Sequence, residues 1–347
     1  WVYLEAVDIR SDIMNAIALL LFTLVILYLA YRTYGRFVSG RLGVDESRPT
    51  PAHTRRDGVD YEPAPRAVVL GHHFASIAGA GPIVGPVIAV SFGWLPAFLW
   101  IIIGSIFIGA THDFSSLVAS LRHDGQTVGE LIEKYIGVSG KRLFIIFAFS
   151  TLILVIAVFA GVVQKTFVSS PEVASASGLF ILVAIIFGVI LRTFHLPLLL
   201  ATVLGLALLS GAIMLGYSNP LAFAEITAFG VDLTPEKIWI GLLLAYVFAA
   251  AVTPVWALLQ PRDYLNSFLL YGMMLGAVIG IFATGPALQA DVFTGFVHEV
   301  QGPIFPILFV TVACGAISGF HSLVASGTTS KQLNSEKDAH FVGYGSM

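Results

Sequence analysis

Cysteine and charge are what this sequence has least of. The 347 residues include one cysteine, Cys314, so no internal disulfide framework can be built. Charged residues make up only 11%, against roughly 25% in a soluble domain. Too few polar groups are present to cover a water-facing globule, so lipid must be the solvent for much of the chain. With a formal net charge of −3, nothing points to a nucleic-acid partner. The phosphate-cradling pattern GxxxxGK[ST] is missing, which excludes an ATP-driven subunit of that kind. The Gly-x-Ser-x-Gly elbow, the kinase motif set and HExxH are missing too, so no reactive constellation supports an enzyme. No metal-ligand spacing and no cofactor motif appear.

What is present is apolar sequence in long runs. Hydrophobic residues reach 57%, and a membrane helix needs about 20 of them in a row to cross ~30 Å. About nine segments qualify by that measure, at 13–32, 71–92, 94–120, 143–165, 178–191, 197–217, 238–259, 264–285 and 303–326. The fold class is therefore an all-α membrane protein, one transmembrane domain over 1–347. The longest polar stretch, 34–66, is expected to be an ordered or partly ordered cytoplasmic loop.

Charge placement gives an orientation. If the first segment runs inward, all but Arg10, Lys165 and Lys237 of the 18 Lys and Arg residues fall on the cytoplasmic side, as the positive-inside rule requires. The chain's N-terminus is then outside and its C-terminus inside. Glu5, Asp8 and Asp12 precede the first segment, which does not suit a signal peptide. The chain opens on Trp1 and is expected to be a piece of a longer protein.

Helix breakers locate the chemistry. The run Gly71-His72-His73-Phe74-Ala75-Ser76-Ile77-Ala78-Gly79-Ala80-Gly81-Pro82-Ile83-Val84-Gly85-Pro86 is expected to unwind near Gly79–Gly85. Proline removes a backbone donor and crowds the preceding turn. Carbonyls and amides freed at membrane depth are tolerated beside protein or a cavity, and there they can hold a carboxylate or a cation. His72, His73, Ser76, Gly79, Gly81 and Pro82 are the substrate-binding candidates, and close packing through small residues is the plainer alternative. A second interruption, around Thr253-Pro254-Val255-Trp256, adds Thr253 and Trp256, against an ordinary proline kink. With 71–92 counted as one, 238–259 is six, the spacing of a five-plus-five inverted repeat.

Asp113 is the one acid well inside a span, beside His112. Intramembrane acids face protein or water and mark ion pathways, although a structural ion pair is the competing explanation. Histidines 72, 73, 112 and 321 can shuttle protons. Ser318, Ser322, Ser326, Thr328 and Thr329 either bond back to helical carbonyls or serve as hard-cation ligands. The ion-coupling set is Ala78, His112, Asp113, Ser322, Ser326, Thr328 and Thr329, with a proton or sodium as the coupling ion and no other cofactor.

These strings resemble the carbon starvation protein family, CstA. The resemblance rests on Gly71-His72-His73-Phe74 through Gly85-Pro86, Asp113-Phe114, Arg122-His123-Asp124-Gly125, Pro254-Val255-Trp256 and Pro261-Arg262-Asp263-Tyr264-Leu265. It continues through Ala313 to His321, Ser326-Gly327-Thr328-Thr329 and Gly343-Tyr344-Gly345, and so covers the chain from about Tyr31 to Met347. It implies a bacterial or archaeal inner-membrane carrier, induced when carbon is scarce and importing peptides or pyruvate. It also implies membership of the amino acid–polyamine–organocation carriers and hence the LeuT-like five-plus-five fold, with 71–217 as first repeat, 238–347 as a partial second and 13–32 as a peripheral helix. Two departures stand out: His112 replaces the family's usual Gln, and the family continues with further helices where this chain stops, two spans short of a second repeat. The partners implied are a peptide or pyruvate-like substrate and membrane lipid, with a homo-oligomer or small accessory subunit left open. A channel-like facilitator and a membrane-embedded sensor subunit are the competing functions.

Overall fold

The computed structural model describes residues 15–194, 197–228, 231–253 and 258–347. In chain order the helices are α1 (Ala16–Arg32), α2 (Tyr34–Leu42), α3 (Pro51–Thr54), α4 (Arg66–Ile77), α5 (Ala80–Ala89), α6 (Trp94–Ile103) and α7 (Ala110–Leu121). They continue as α8 (Val128–Tyr135), α9 (Val138–Ser169), α10 (Pro171–Phe194), α11 (Leu198–Ser218), α12 (Pro235–Val252), α13 (Leu259–Thr284), α14 (Ile304–Ala316) and α15 (Gly319–Gly327). Two small antiparallel ladders, not expected from the sequence, pair β1 (Ile226–Ala228) with β2 (Val231–Leu233) and β3 (Val297–His298) with β4 (Gly302–Pro303).

Among the described residues, eight helices are long and apolar enough to cross a membrane, and a bent pair, Arg66–Ile77 with Gly81–Phe92, makes a ninth. The expected nine are reached when the bent pair is counted as one span. Several are longer than the hydropathic runs: α9 covers 32 residues where 143–165 was expected, and α10 covers 24 where 178–191 was. On α9, Leu143, Ile146, Phe147, Phe149, Ile153 and Leu154 are all exposed, as a helix in contact with lipid tails requires.

The chain divides into two units, Trp1–Leu131 with Leu269–Met347, and Ile132–Phe268. This division cuts across the expected repeats 71–217 and 238–347. In the second unit, Val183, Phe187, Ala201, Ala212 and Leu265 form a core, and Thr202 and Tyr264 share a hydroxyl hydrogen bond at 2.8 Å. Helix α12 ends at Val252 and Thr253 is extended; the expected break at Pro254, with Trp256, falls outside the described residues.

The first unit is organised by two interrupted spans. The first interruption is Ala78–Gly79, where Ala78 leaves the helical region and Gly79 is extended, bending the span by 50°. It is narrower than the expected Gly79–Gly85. Pro82 falls in the first turn of α5, where backbone N–H groups have no intrahelical partner in any case, so it disturbs nothing and α5 runs on to Ala89. The second interruption in this unit is Ile317–Ser318, between α14 and α15. The Ser318 hydroxyl accepts from Phe320 N–H and restarts the helix as an N-cap. Helix α5 packs on α14, and α4 on α15, so the two breaks face each other. Ala89, Phe92, Leu308 and Val312 are buried where α5 meets α14. Val69, Phe114, Leu117, Val118, Ala325 and Val342 are buried around α4, α7 and α15.

Between α6 and α7 the helix widens to a π turn over Gly104–Gly109. A Cβ at Gly109 would run into the Ala316 carbonyl, so glycine is what permits this approach. The Ile106 carbonyl, left over by the wide turn, accepts from the Tyr344 hydroxyl at 3.1 Å.

Residues 43–64 form an ordered strap laid over residues 329–337. The Thr50 hydroxyl donates to the Leu333 carbonyl at 2.6 Å, and Ala64 N–H donates to the Gln332 carbonyl. Arg55 pairs with Asp124 at 2.8 Å. The buried Glu336 carboxylate is met by Arg122 at 2.8 Å and accepts from Asp45 N–H. Asp57 organises the strap's own turn by accepting from the N–H groups of Val59, Asp60 and Tyr61.

Candidate substrate and coupling site

His73 and Asp113 meet at the junction of α4 and α7, and neither has exposed side-chain surface. His73 Nε2 lies 3.0 Å from Asp113 Oδ2. Its Nδ1 lies 2.8 Å from the hydroxyl oxygen of Thr329, two residues beyond the end of α15. One imidazole thus joins an acid on α7 to a hydroxyl at the edge of the strap. Asp113 Oδ1 is buried with no hydrogen-bond partner among the described residues. Such an atom costs about 1–3 kcal/mol, and more when the group is charged.

The second arrangement involves His112. Its Nε2 faces the Ile317 carbonyl at 3.3 Å, the acceptor freed by the break between α14 and α15. A carbonyl only accepts, so this nitrogen carries the hydrogen. In the neutral ring Nδ1 is then an acceptor, and the Ser322 hydroxyl 2.7 Å away donates to it. His321, in the first turn of α15, is buried, with Nδ1 3.0 Å from Met347 Sδ. Its electrostatic neighbours are Asp113, His73 and His112. The sequence marks His321 as a histidine in a span but does not place it in the coupling group.

Several expected site residues fall elsewhere. A Cβ at Gly81 would run into Cys314 Sγ, and one at Gly85 into the Thr311 carbonyl. Pro82 lies against Gly315. These residues pack α5 on α14, the plainer alternative for this run. Gly79 differs, since a Cβ there would meet nothing within 4 Å. It precedes α5 without a side-chain cap, so the first amides of that helix are turned to the break. His72 is buried on α4, and the Ser76 hydroxyl bonds back to the His72 carbonyl. Ser326 is buried and bonds back to the Ser322 carbonyl at 2.9 Å. Thr328 is half-buried at the end of α15. Thr253 belongs to the second unit and bonds back to the Ala249 carbonyl.

A polar seam next to the His73 group is not foreseen from the sequence. The Ser120 hydroxyl lies 2.7 Å from the Gln126 carbonyl, 3.0 Å from the Ser326 carbonyl and 2.9 Å from the Ser330 hydroxyl. Ser326 on α15 and Ser330 just beyond it are both buried and four residues apart, but their partner on α7 is some two hundred residues away. Among the described residues, no group of three or more His, Cys, Asp or Glu could hold a metal ion.

Many lipid-length helices, two interrupted spans face to face and a buried ionisable pair define the class as a multi-pass membrane protein. The model of the carbon starvation protein CstA family matches residues 15–347, and the chain belongs to that family. It is 40% identical to the peptide transporter CstA of Escherichia coli K12, over 97% of this chain and 49% of the relative. It is 38% identical to the peptide transporter CstA of Bacillus subtilis, over 96% and 56%. The pyruvate/proton symporter BtsT of Escherichia coli K12 is 37% identical, over 97% and 48%. The chain spans about half the length of these curated relatives. No solved structure matches it.

Proposed function

We propose that this chain supplies the broken-helix core of a secondary active carrier that imports a small carboxylate such as pyruvate, or a peptide, together with a proton. The observation that carries the reading is the buried His73–Asp113 pair with Asp113 Oδ1 unpartnered, set beside the two helix breaks. A buried acid with one bare oxygen is costly when ionised, and protonation removes the charge. The imidazole on its other oxygen supplies a proton donor or acceptor in the same chain of contacts. The uncapped start of α5 presents amide groups and a partial positive charge. That suits a carboxylate, the group shared by pyruvate and the C-terminus of a peptide. The printed names of the relatives, peptide transporter and pyruvate/proton symporter, support both substrate classes.

Sodium is the less favoured coupling ion. The hydroxyls of Ser322 and Ser326 donate to protein groups and keep lone pairs that suit a cation, so it is the buried acid with one bare oxygen that favours the proton. The five-plus-five repeat, expression under carbon shortage and the bacterial inner membrane come with the family reading. The partition of basic residues puts the strap on the cytoplasmic face, and labelling of Ser47→Cys by an impermeant reagent outside intact cells would reverse that orientation.

The test is uptake of labelled pyruvate and labelled dipeptides by the full-length protein in proteoliposomes, with imposed proton or sodium gradients. Accumulation driven by the proton gradient supports the reading. Accumulation that needs sodium alone, equilibration without accumulation as in a facilitator, or no uptake at all as in a sensor, would overturn it.

A further inference from the structure

The first span is longer than the hydrocarbon it has to cross. It runs over 27 residues, Ala16–Leu42, or about 40 Å at 1.5 Å per residue, against ~30 Å of bilayer core. Its last turns therefore stand at the level of the lipid headgroups, on the face that carries the strap. Tyr28, Tyr31, Tyr34 and Phe37 mark this level, as aromatic residues do at membrane interfaces.

Three arginines occur in this stretch, and the structure uses them differently. The Arg32 guanidinium lies over the Tyr28 ring at 5.9 Å, and that of Arg41 over the Phe37 ring at 5.2 Å. Arg36 instead lines a cavity of about 340 Å³ together with Ser39, Val44, Glu46, Lys337 and His340. No carboxylate pairs with Arg36 among the described residues. The one acid in the cavity wall, Glu46, is held by Lys337 at 2.7 Å. The pocket is thus net positive, and it brings a guanidinium fork, a hydroxyl and an ammonium together from α2 and the segment after α15.

We propose that this pocket binds a phosphate group, that of an anionic phospholipid in the leaflet on the strap side. A tetrahedral oxyanion can take the planar fork of Arg36 on one edge. It leaves other oxygens for Ser39 and for the two donors of Lys337 not turned to Glu46. Basic pockets at headgroup depth suit such headgroups, and the ordered binding of one would tie the end of the first span to the strap. The site is separate from the His73–Asp113 pair and does not depend on the transport reading.

The experiment titrates the full-length protein in detergent with phosphatidylglycerol, phosphatidylcholine or inorganic phosphate, following thermal unfolding and bound lipid by native mass spectrometry. Phosphatidylglycerol should bind selectively over phosphatidylcholine. Arg36→Gln should weaken that binding roughly tenfold, the loss of one charge-assisted contact, whereas Arg41→Gln should leave it unchanged. Arg36→Lys should restore part of it, because a point charge replaces the fork. Should Arg36→Gln fold poorly, Lys337→Gln is expected to weaken binding in the same direction. An effect of inorganic phosphate alone, lost in Arg36→Gln, supports the site with a free phosphate as occupant. Equal binding of the two lipids, or equal affinity in Arg36→Gln and Arg41→Gln, overturns the proposal.

Discussion

His73 Nε2 lies 3.0 Å from Asp113 Oδ2 with both side chains fully buried, so one hydrogen bridges the imidazole and the carboxyl group. Which of the two holds it also decides the role of Thr329. If the acid donates to Nε2, the neutral ring's Nδ1 carries a hydrogen and donates to the hydroxyl. If the acid is ionised and accepts from Nε2, the neutral ring's Nδ1 accepts from it. The tautomer of His73 thereby links Asp113 to Thr329, in the segment on which the strap lies.

Asp113→Asn keeps the shape of the group and removes its capacity to lose charge. The expected result in proteoliposomes of the full-length protein is loss of uphill uptake by more than about tenfold, the 1.4 kcal/mol scale of one lost charge-assisted contact. Counterflow exchange of substrate should persist. Accumulation at the wild-type rate would rule out this residue as the proton carrier.

His112 is expected to act through its two hydrogen bonds and not through charge. A glutamine amide can also donate to the Ile317 carbonyl and accept from Ser322, whereas alanine leaves the carbonyl freed by the break without its donor. His112→Gln should therefore retain uptake within a few-fold, and His112→Ala should lose stability by about 1–3 kcal/mol. Thermal unfolding and uptake of the pair measure this. Equal loss in both variants would assign the histidine a titrating role instead.

Gly81 is expected to matter for packing. Gly81→Ala sets a methyl against Cys314, and overpacking costs about 1–3 kcal/mol. Cys314→Gly removes the opposing atoms, so the double variant should regain most of the stability lost by Gly81→Ala. A double-mutant cycle on the unfolding midpoint gives the coupling. If uptake stays lost while stability returns, Gly81 contributes to the substrate path as well.

Asp57 makes the strap sensitive to acid. The N–H groups of Val59 and Tyr61 hold its carboxyl below the usual carboxylate value of 3.8. Its contribution is present in full above the unfolded value and is lost as pH falls through the lower folded value. Hydrogen exchange of the Asp57–Tyr61 amides should accelerate relative to intrinsic rates on acidification below about pH 4. In Asp57→Ala these amides should be poorly protected at every pH. Protection that does not change with pH in the wild type would contradict the role.

The membrane character and the number of spans were legible because hydrophobic length is a local property. The position of the first break was legible to within a few residues, but its extent was not. Pro82 looks like a breaker in sequence and is harmless where it falls, in a first turn. Pro254, the conspicuous residue of 238–259, lies outside the described residues, whereas the break at Ile317–Ser318 has no proline and turns on a serine cap. Asp113 stood out as a lone acid in a span. Its partner His73 was placed with the substrate residues, because nothing local shows that α4 and α7 touch. The hydroxyls on α15 were visible, yet whether each bonds back to its own helix or across to a histidine depends on neighbours far away in the chain.

The strap also has a bearing on how the protein is made. The bond from Thr50 to Leu333 closes a loop of 283 residues, and every tether from the strap to 329–337 waits for the last described span. At roughly 5–20 residues per second of synthesis, about 15 to 60 s separate the emergence of the strap from that of its seat. During that interval the strap has only its contacts near Asp124, such as that of Arg55, and the face it turns to 329–337 stays uncovered. A nascent chain that stalls before Leu333 leaves the strap unseated, so its exposure distinguishes unfinished copies from finished ones.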